Sequence, residues 1–186
     1  MSLPPGLDDP CGAHFVYRDL IECGETWRRL SAEASPPSPF DNLPRAEDTF
    51  AAMRALCVAV LDPVVERFGR PELTYAFASP GLTRHIPARI HPPLDQHAGH
   101  ELSTGGKPIC PRLGLAVDLR VPGVDGRELA RWLVERTAFD RLYFYEADRP
   151  IHVSVGPEHT RQVVHMRRGP SGRRVPRVVT PAFFQE

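Results

Sequence analysis

Lysine is nearly missing from this chain: Lys107 stands alone beside 22 arginines, a bias that, with 21 prolines, fits a GC-rich genome better than a chemical demand. Net charge is missing too. The 23 basic and 23 acidic side chains cancel, so nothing global draws the protein to nucleic acid or to an anionic membrane. The four cysteines, Cys11, Cys23, Cys57 and Cys110, form no C-x-x-C pair. They are too sparse for a small disulfide scaffold, and a reducing compartment is expected. No apolar run approaches the roughly 18 residues a membrane span needs. The opening MSLPPGLDDPCG has neither a basic nor an apolar leader region; a soluble, cytoplasmic protein without a membrane partner is therefore expected. Also absent are a P-loop, a G-x-G-x-x-G after a strand and a G-x-S-x-G around Ser154, which leaves nucleotide-fold and serine-hydrolase readings weak.

What is present fits one domain with extensions. The 186 residues are 41% hydrophobic and 25% charged, enough to build a core without staples. No internal repeat is visible. Residues 1–41 alternate Pro, Ser and Asp with one denser piece, HFVYRDLIECGETWRRL, which predicts a short helix or two ahead of a Pro-rich connector. From Glu47 to Phe68 the apolar residues Phe50, Met53, Cys57, Val60, Leu61, Val64 and Phe68 recur at helical spacing, Gly69 stops the run, and Pro63 is placed to kink or divide it. Leu73–Ala78 reads as a strand. The stretch from Ser79 to Cys110 is long, irregular and rich in histidine (His85, His91, His97, His100). Such a loop is expected to hold a short helix or to build a site.

Leu115, Val117, Leu119 and Val121 alternate with Gly114, Ala116, Asp118 and Arg120, the period of a half-buried strand with Asp118 off the apolar face. Asp125 is placed to cap a helix through RELARWLVERT. Strands are predicted at Arg141–Glu146 and Ile151–Val155, the latter with His152 and Ser154 on the polar face. A last short helix is predicted over 157–166, and the five arginines of RRGPSGRRVPR read as a flexible basic tail over 167–186. The body between the extension and the tail is 42–166.

Several residues could carry chemistry. His97 and His100, three apart with Glu101 following, have chelating spacing if they share a helical face, though Gly99 weakens any helix there. Asp118 and His152, on separate strands, are two ligands of the kind a catalytic zinc takes; equally, they suit a surface strand pair. Cys110 is a soft ligand or nucleophile, or simply a buried thiol. Glu146, six residues before His152, is either a general base or a solvent-facing strand end.

The order of these parts resembles the D-alanyl-D-alanine carboxypeptidase family of zinc peptidases, whose fold the amino-terminal domain of Hedgehog shares. It is carried by the 47–68 helix ending in FG, a strand leading to Ser79, the pattern GG-x(7)-G-x-A-x-D at Gly105, Gly106, Gly114, Ala116 and Asp118, the ELARWL helix, FDRLYFYE and IHVS. It covers roughly residues 42–165. The resemblance implies an α+β fold with a small antiparallel sheet packed against helices. It also implies a zinc site that includes Asp118 and His152, Glu146 as general base, and Arg84 beside a substrate carboxylate. The family's first ligand, the histidine of S-x-H-x-x-G-x-A-x-D, is missing: its position is Pro111, and the serine position is Ile109.

Two readings follow. In one the site is rebuilt, with His97, His100 or Cys110 as the third ligand and Glu146 or Glu101 as base, giving a zinc-dependent hydrolase of a small peptide, amide or metabolite. In the other the chain is a non-catalytic binding protein, with nucleic acid or another partner engaged through Arg167–Arg177, or a subunit of a larger enzyme.

Overall fold

The helical run from Glu47 does not continue unbroken to Phe68. In the computed structural model, which describes residues 3–34, 40–87 and 91–185, α3 covers Glu47–Leu56 and α4 covers Asp62–Phe68. Between them Cys57–Leu61 form a wider π-helical turn in which the Asp62 N–H donates to the Cys57 carbonyl. Pro63 supplies the cause: without an N–H, and with its ring against the preceding turn, it disrupts regular α-helix just before itself, and a one-turn π-bulge absorbs the mismatch. The backbone stays in the right-handed helical region at both junctions, and Met53, Leu56, Cys57, Val60, Leu61 and Val64 all remain buried.

The segment ahead of this helix belongs to the same core. Helices α1 (Tyr17–Ile21) and α2 (Glu25–Glu33) precede it. Cys11, Phe15, Tyr17, Leu20 and Ile21 pack in the cluster that holds α3 and the sheet. Buried Asp62 ties the segment down by accepting the N–H groups of Ala13 and His14 at 2.8 and 3.1 Å. Of the segment 31–45, read as connector, the first residues complete α2, which ends at Glu33, and 35–39 lie outside the described residues.

Among the described residues the sheet has six strands: β1 (Glu72–Tyr75), β2 (Leu115–Arg120), β3 (Arg141–Phe144), β4 (Ile151–Val155), β5 (Gln162–Arg168) and β6 (Arg174–Val179). Their spatial order is β1-β2-β4-β3-β5-β6. It is α+β as expected, but mixed rather than antiparallel, because β3 and β5 pair in parallel while every other neighbour is antiparallel. Helix α6 (Gly126–Arg136) joins β2 to β3, and the Asp125 carboxylate caps it by accepting the N–H groups of Arg127 and Glu128. Between β1 and β2 the long segment carries α5 (Pro80–Thr83) and two 3-10 turns, Pro92–Leu94 and Gln96–Ala98.

The carboxy-terminal expectations are corrected. No helix forms over 157–166; Gln162 begins β5, and the stretch read as a flexible tail is the outer strand β6 followed by a 3-10 turn, Pro181–Phe184. Phe184 is buried against Phe144, their rings edge to face at 5.3 Å, which anchors the chain end on the core.

Candidate metal centre

Strands β2 and β4 pair so that Asp118 lies opposite His152. Alternation alone would send both to a solvated face. Here that face is covered: every residue of β4 is buried, and the turn Gln96–Ala98 packs on β2. A polar group under such a cover must find partners. Ser154 finds Gln96, donating to its Oε1 at 2.8 Å, while Gln96 Nε2 donates to the Leu113 carbonyl at 2.9 Å. This pair fastens the turn to the sheet and so positions its neighbour His97.

His97 is held from four directions. Its N–H donates to Asp95 Oδ1, its carbonyl accepts the Ala78 N–H, its ring stacks on Tyr75 at 3.9 Å, and its Nδ1 donates to the Ala76 carbonyl at 2.7 Å. The last bond fixes the neutral tautomer with its lone pair on Nε2, which is how a backbone carbonyl orients a ligating imidazole. That Nε2 lies 3.2 Å from His152 Nδ1 and 3.3 Å from Asp118 Oδ1, and His152 Nδ1 lies 2.9 Å from the same oxygen. Ligands about 2.0–2.1 Å from a tetrahedral centre stand about 3.3–3.4 Å apart. The triangle is therefore close to one face of such a tetrahedron, short by a few tenths of an ångström at the His152–Asp118 edge. His152 Nε2 is buried without a partner among the described residues, so the ring engages the cluster through Nδ1 alone. This buried His-Asp-His group can hold a metal ion.

Its electrostatics are those of a carboxylate shared by two imidazoles. Burial opposes the charge on Asp118, but His97 and His152 outweigh it and hold the carboxyl well below the usual carboxylate range. Burial likewise opposes charge on His97, and Asp118 more than offsets it, raising the His97 pKa. The Asp118 side chain keeps 28% of its exposure. It and His97 line a cavity of about 320 Å³, together with Glu25, Trp27, Asp95 and Tyr145. Tyr145 keeps its proton, its pKa raised by burial first and then by the Asp118 charge.

The other expected site residues go elsewhere. Gly99 has φ +61°, and a Cβ there would lie 2.7 Å from Thr49; the chain reverses at this glycine, so His97 and His100 do not share a face. His100 instead accepts the Gly114 N–H at its Nε2 and donates its own N–H to Thr49. Glu101 is buried at the amino terminus of α3, accepting from the Arg45 and Ala46 N–H groups and the Thr49 hydroxyl. Cys110 is buried, with its thiol donating to the Pro93 carbonyl and burial raising its pKa. Glu146 pairs with Arg168 and Arg174 on the β5–β6 hairpin, which keep it ionised, and it does not line the cavity. Arg84 is exposed and lines a different hollow with Asp41, Arg45 and Glu101.

Sequence reasoning missed the cavity wall: Glu25, Trp27, Tyr75, Asp95 and Tyr145. Asp95 left the one usable trace, an Asp two residues before His97 being the pattern of a side chain that caps a tight turn. Comparison with protein-family models, with curated proteins and with solved structures gave no match.

Proposed function

We propose that the chain is a zinc-dependent hydrolase of a small amide- or ester-bearing substrate, a divergent relative of the D-alanyl-D-alanine carboxypeptidases with a rebuilt first ligand. The observation that carries this reading is the donor triangle at the wall of a cavity. His97 Nε2, Asp118 Oδ1 and His152 Nδ1 would hold the ion, with His97 in place of the histidine that the family's motif puts at position 111. Two imidazoles and one carboxylate suit zinc, and three protein ligands leave a position open. Zinc in such a set lowers the pKa of bound water to near about 7 and polarises a carbonyl.

The chain's own groups do the remainder. Glu25, exposed at the cavity rim, is the carboxylate free to accept a proton, a role that neither Glu101 nor Glu146 is placed to fill. Tyr145 retains its phenolic proton and can donate to an oxygen on which charge develops. Trp27 and Tyr75 give the substrate apolar faces. The likeness to the carboxypeptidases is supported by the direct pairing of Asp118 with His152 across β2 and β4. Gly114 of the quoted pattern supports it as well: at φ +74°, a Cβ there would lie 1.9 Å from the Val155 carbonyl oxygen, so only glycine fits.

A second reading, binding without chemistry, has one specific observation behind it. Arg167, Arg173 and Arg177 are exposed on the hairpin and make no ion pair with a described residue. Phosphate contacts there would make affinity for nucleic acid fall steeply with salt.

The deciding experiment is metal content by elemental mass spectrometry on untagged protein: wild type, His97→Ala, His152→Ala and His100→Gln. Near-stoichiometric zinc in wild type and His100→Gln, lost in the other two, is the expected result and opens an amide and ester substrate screen. No metal in the wild type after zinc is supplied overturns the hydrolase.

A further inference from the structure

The four cysteines, all free thiols and all buried, are settled in two different ways. Cys23 Sγ donates to the Leu20 carbonyl at 3.6 Å and Cys110 Sγ to the Pro93 carbonyl at 3.4 Å, so each of these rests on main chain. Cys11 and Cys57 face one another instead. The Cys57 thiol donates to the Cys11 sulfur at 3.2 Å, and neither residue has any exposure. The two backbones come together at this point: a Cβ on Gly12 would lie 2.8 Å from the Cys57 Cβ and 2.5 Å from an Asp62 carboxylate oxygen. Asp62 holds the approach from the helix side by accepting the Ala13 and His14 N–H groups. From the other side the Cys11 N–H donates to the Phe15 carbonyl at 2.9 Å, which curls the segment over the sulfur pair.

From this juxtaposition we infer that Cys11 and Cys57 form an oxidation site: a thiol pair that a peroxide converts to a disulfide, fastening the amino-terminal segment to the head of the π-helical turn. The sulfurs need to close by only about 1.2 Å to reach a bond of about 2.05 Å. The step removes both S–H bonds and the O–O bond of the peroxide, forms one S–S bond and releases two waters when the oxidant is hydrogen peroxide; two electrons pass from sulfur to oxygen. A sulfenic acid made first at either sulfur is resolved by the other thiol, which stops oxidation short of the irreversible sulfinic acid. The bond to Cys11 and, after it, burial keep the Cys57 thiol protonated, so a bulky reagent finds no thiolate to meet while the segment is closed. A small peroxide enters when the thin cover opens locally, since Ala13 and His14 beside the pair are exposed. A reducing compartment keeps the pair as thiols until such an oxidant is present. The disulfide closes the loop from residue 11 to residue 57, which contains α1 and α2 and with them Glu25 and Trp27 of the cavity wall. Cross-linking so long a loop restricts the unfolded chain strongly. Neither Cys11 nor Cys57 is among the described residues lining the cavity, and the inference does not rest on the hydrolase reading.

The test treats the full, folded chain with hydrogen peroxide at neutral pH, alkylates the remaining thiols under denaturing conditions and digests the unreduced protein with trypsin. Cleavage after Arg18, Arg28, Arg54, Arg67, Arg89 and Arg112 leaves each cysteine in its own peptide. Mass spectrometry is expected to find peptide 1–18 linked to peptide 55–67, with Cys23 and Cys110 recovered as alkylated thiols, and dithiothreitol is expected to undo the link. The oxidised protein should melt higher than the reduced one by about 5 °C or more, a rise that Cys57→Ala, treated in the same way, should not show. Recovery of Cys11 and Cys57 as alkylated thiols, or as separate sulfonic acids, overturns the inference. So does a link between other cysteines, a link that forms only in urea, or one that leaves the melting temperature unchanged. Should Cys57→Ala fail to fold, the peptide map and melting temperature of the wild type decide by themselves.

Discussion

The middle of the sheet and its outer edge are built from similar mixed apolar and polar sequence and put it to opposite use. In β4 the apolar Ile151, Val153 and Val155 alternate with His152 and Ser154; in β6 Val175, Val178 and Val179 are interspersed with Arg174 and Arg177. Strand β4 lies between two neighbours under a covering turn, and all five of its residues are buried. Strand β6 has β5 on one side only, and Arg177, Val175 and Val178 face water. A polar side chain in the first setting must be partnered or be costly, whereas in the second it is solvated at no cost. His152 and Ser154 are thus informative about function, and an arginine on β6 is informative mainly about solubility and edge protection.

The sharpest break in that comparison is His152→Ala. Loss of one of three ligands should weaken zinc binding by at least about 100-fold, since even partners behind the ligands are worth about 10- to 100-fold; chelator competition measures it. Arg177→Gln on the outer strand should leave the same constant unchanged. Next in size is Phe184→Ala. The ring packs on Phe144 and Phe183 and lies near the Arg127 guanidinium, so its removal should cost about 3 kcal/mol in denaturant unfolding. A flexible tail would show less than about 0.5 kcal/mol. Glu101→Gln comes third. It spoils a buried carboxylate that accepts from three groups at the start of α3 and should destabilise by about 2 kcal/mol, while zinc content stays at the wild-type level. Loss of zinc there would return Glu101 to the site.

Much of this was legible in the sequence, for reasons that differ by element. The α6 start was, because Asp125 has only one local use; so were the bounds of β4, because period-two alternation ends at Gly156. Asp118 and His152 were singled out as polar-face residues of two alternating strands and then matched by the resemblance, and their pairing needed the register. His97 could not be separated from His100 and Cys110: the separation depends on Gly99 adopting positive φ, and on Gln96 reaching Ser154, 58 residues away. The β5–β6 hairpin was hidden for another reason. Its entry turn places His159 and Arg161 at φ 46° and 50°, a conformation that residues of these types do not advertise, and its parallel partner β3 is remote in sequence. Charge density over RRGPSGRR then reads as disorder, although Arg168 and Arg174 are ordered by Glu146 from the β3 end.

The smallest effect expected is one of pH, and it separates the cluster from an ordinary buried ion pair. Asp118 has a lowered pKa in the folded chain, so its contribution to metal-free stability is present above its unfolded value of about 4 and is lost in acid. His97 has a raised one, so its contribution is full below an unfolded value of about 6.5 and disappears as pH rises through the folded pKa. Metal-free protein thus draws most from this cluster between about pH 4 and 6.5 and less at alkaline pH. Zinc behaves oppositely, because it needs the Nε2 lone pair that the proton occupies, and its affinity climbs over the same range in which the ion pair weakens. The gap in melting temperature between zinc-loaded and metal-free protein should therefore be wider at about pH 8 than at about pH 6, and His97→Ala should abolish the difference. A gap that is flat or narrows with rising pH would mean that His97 is the partner of a buried carboxylate and nothing more, and the triangle would lose the corner that the sequence had to rebuild.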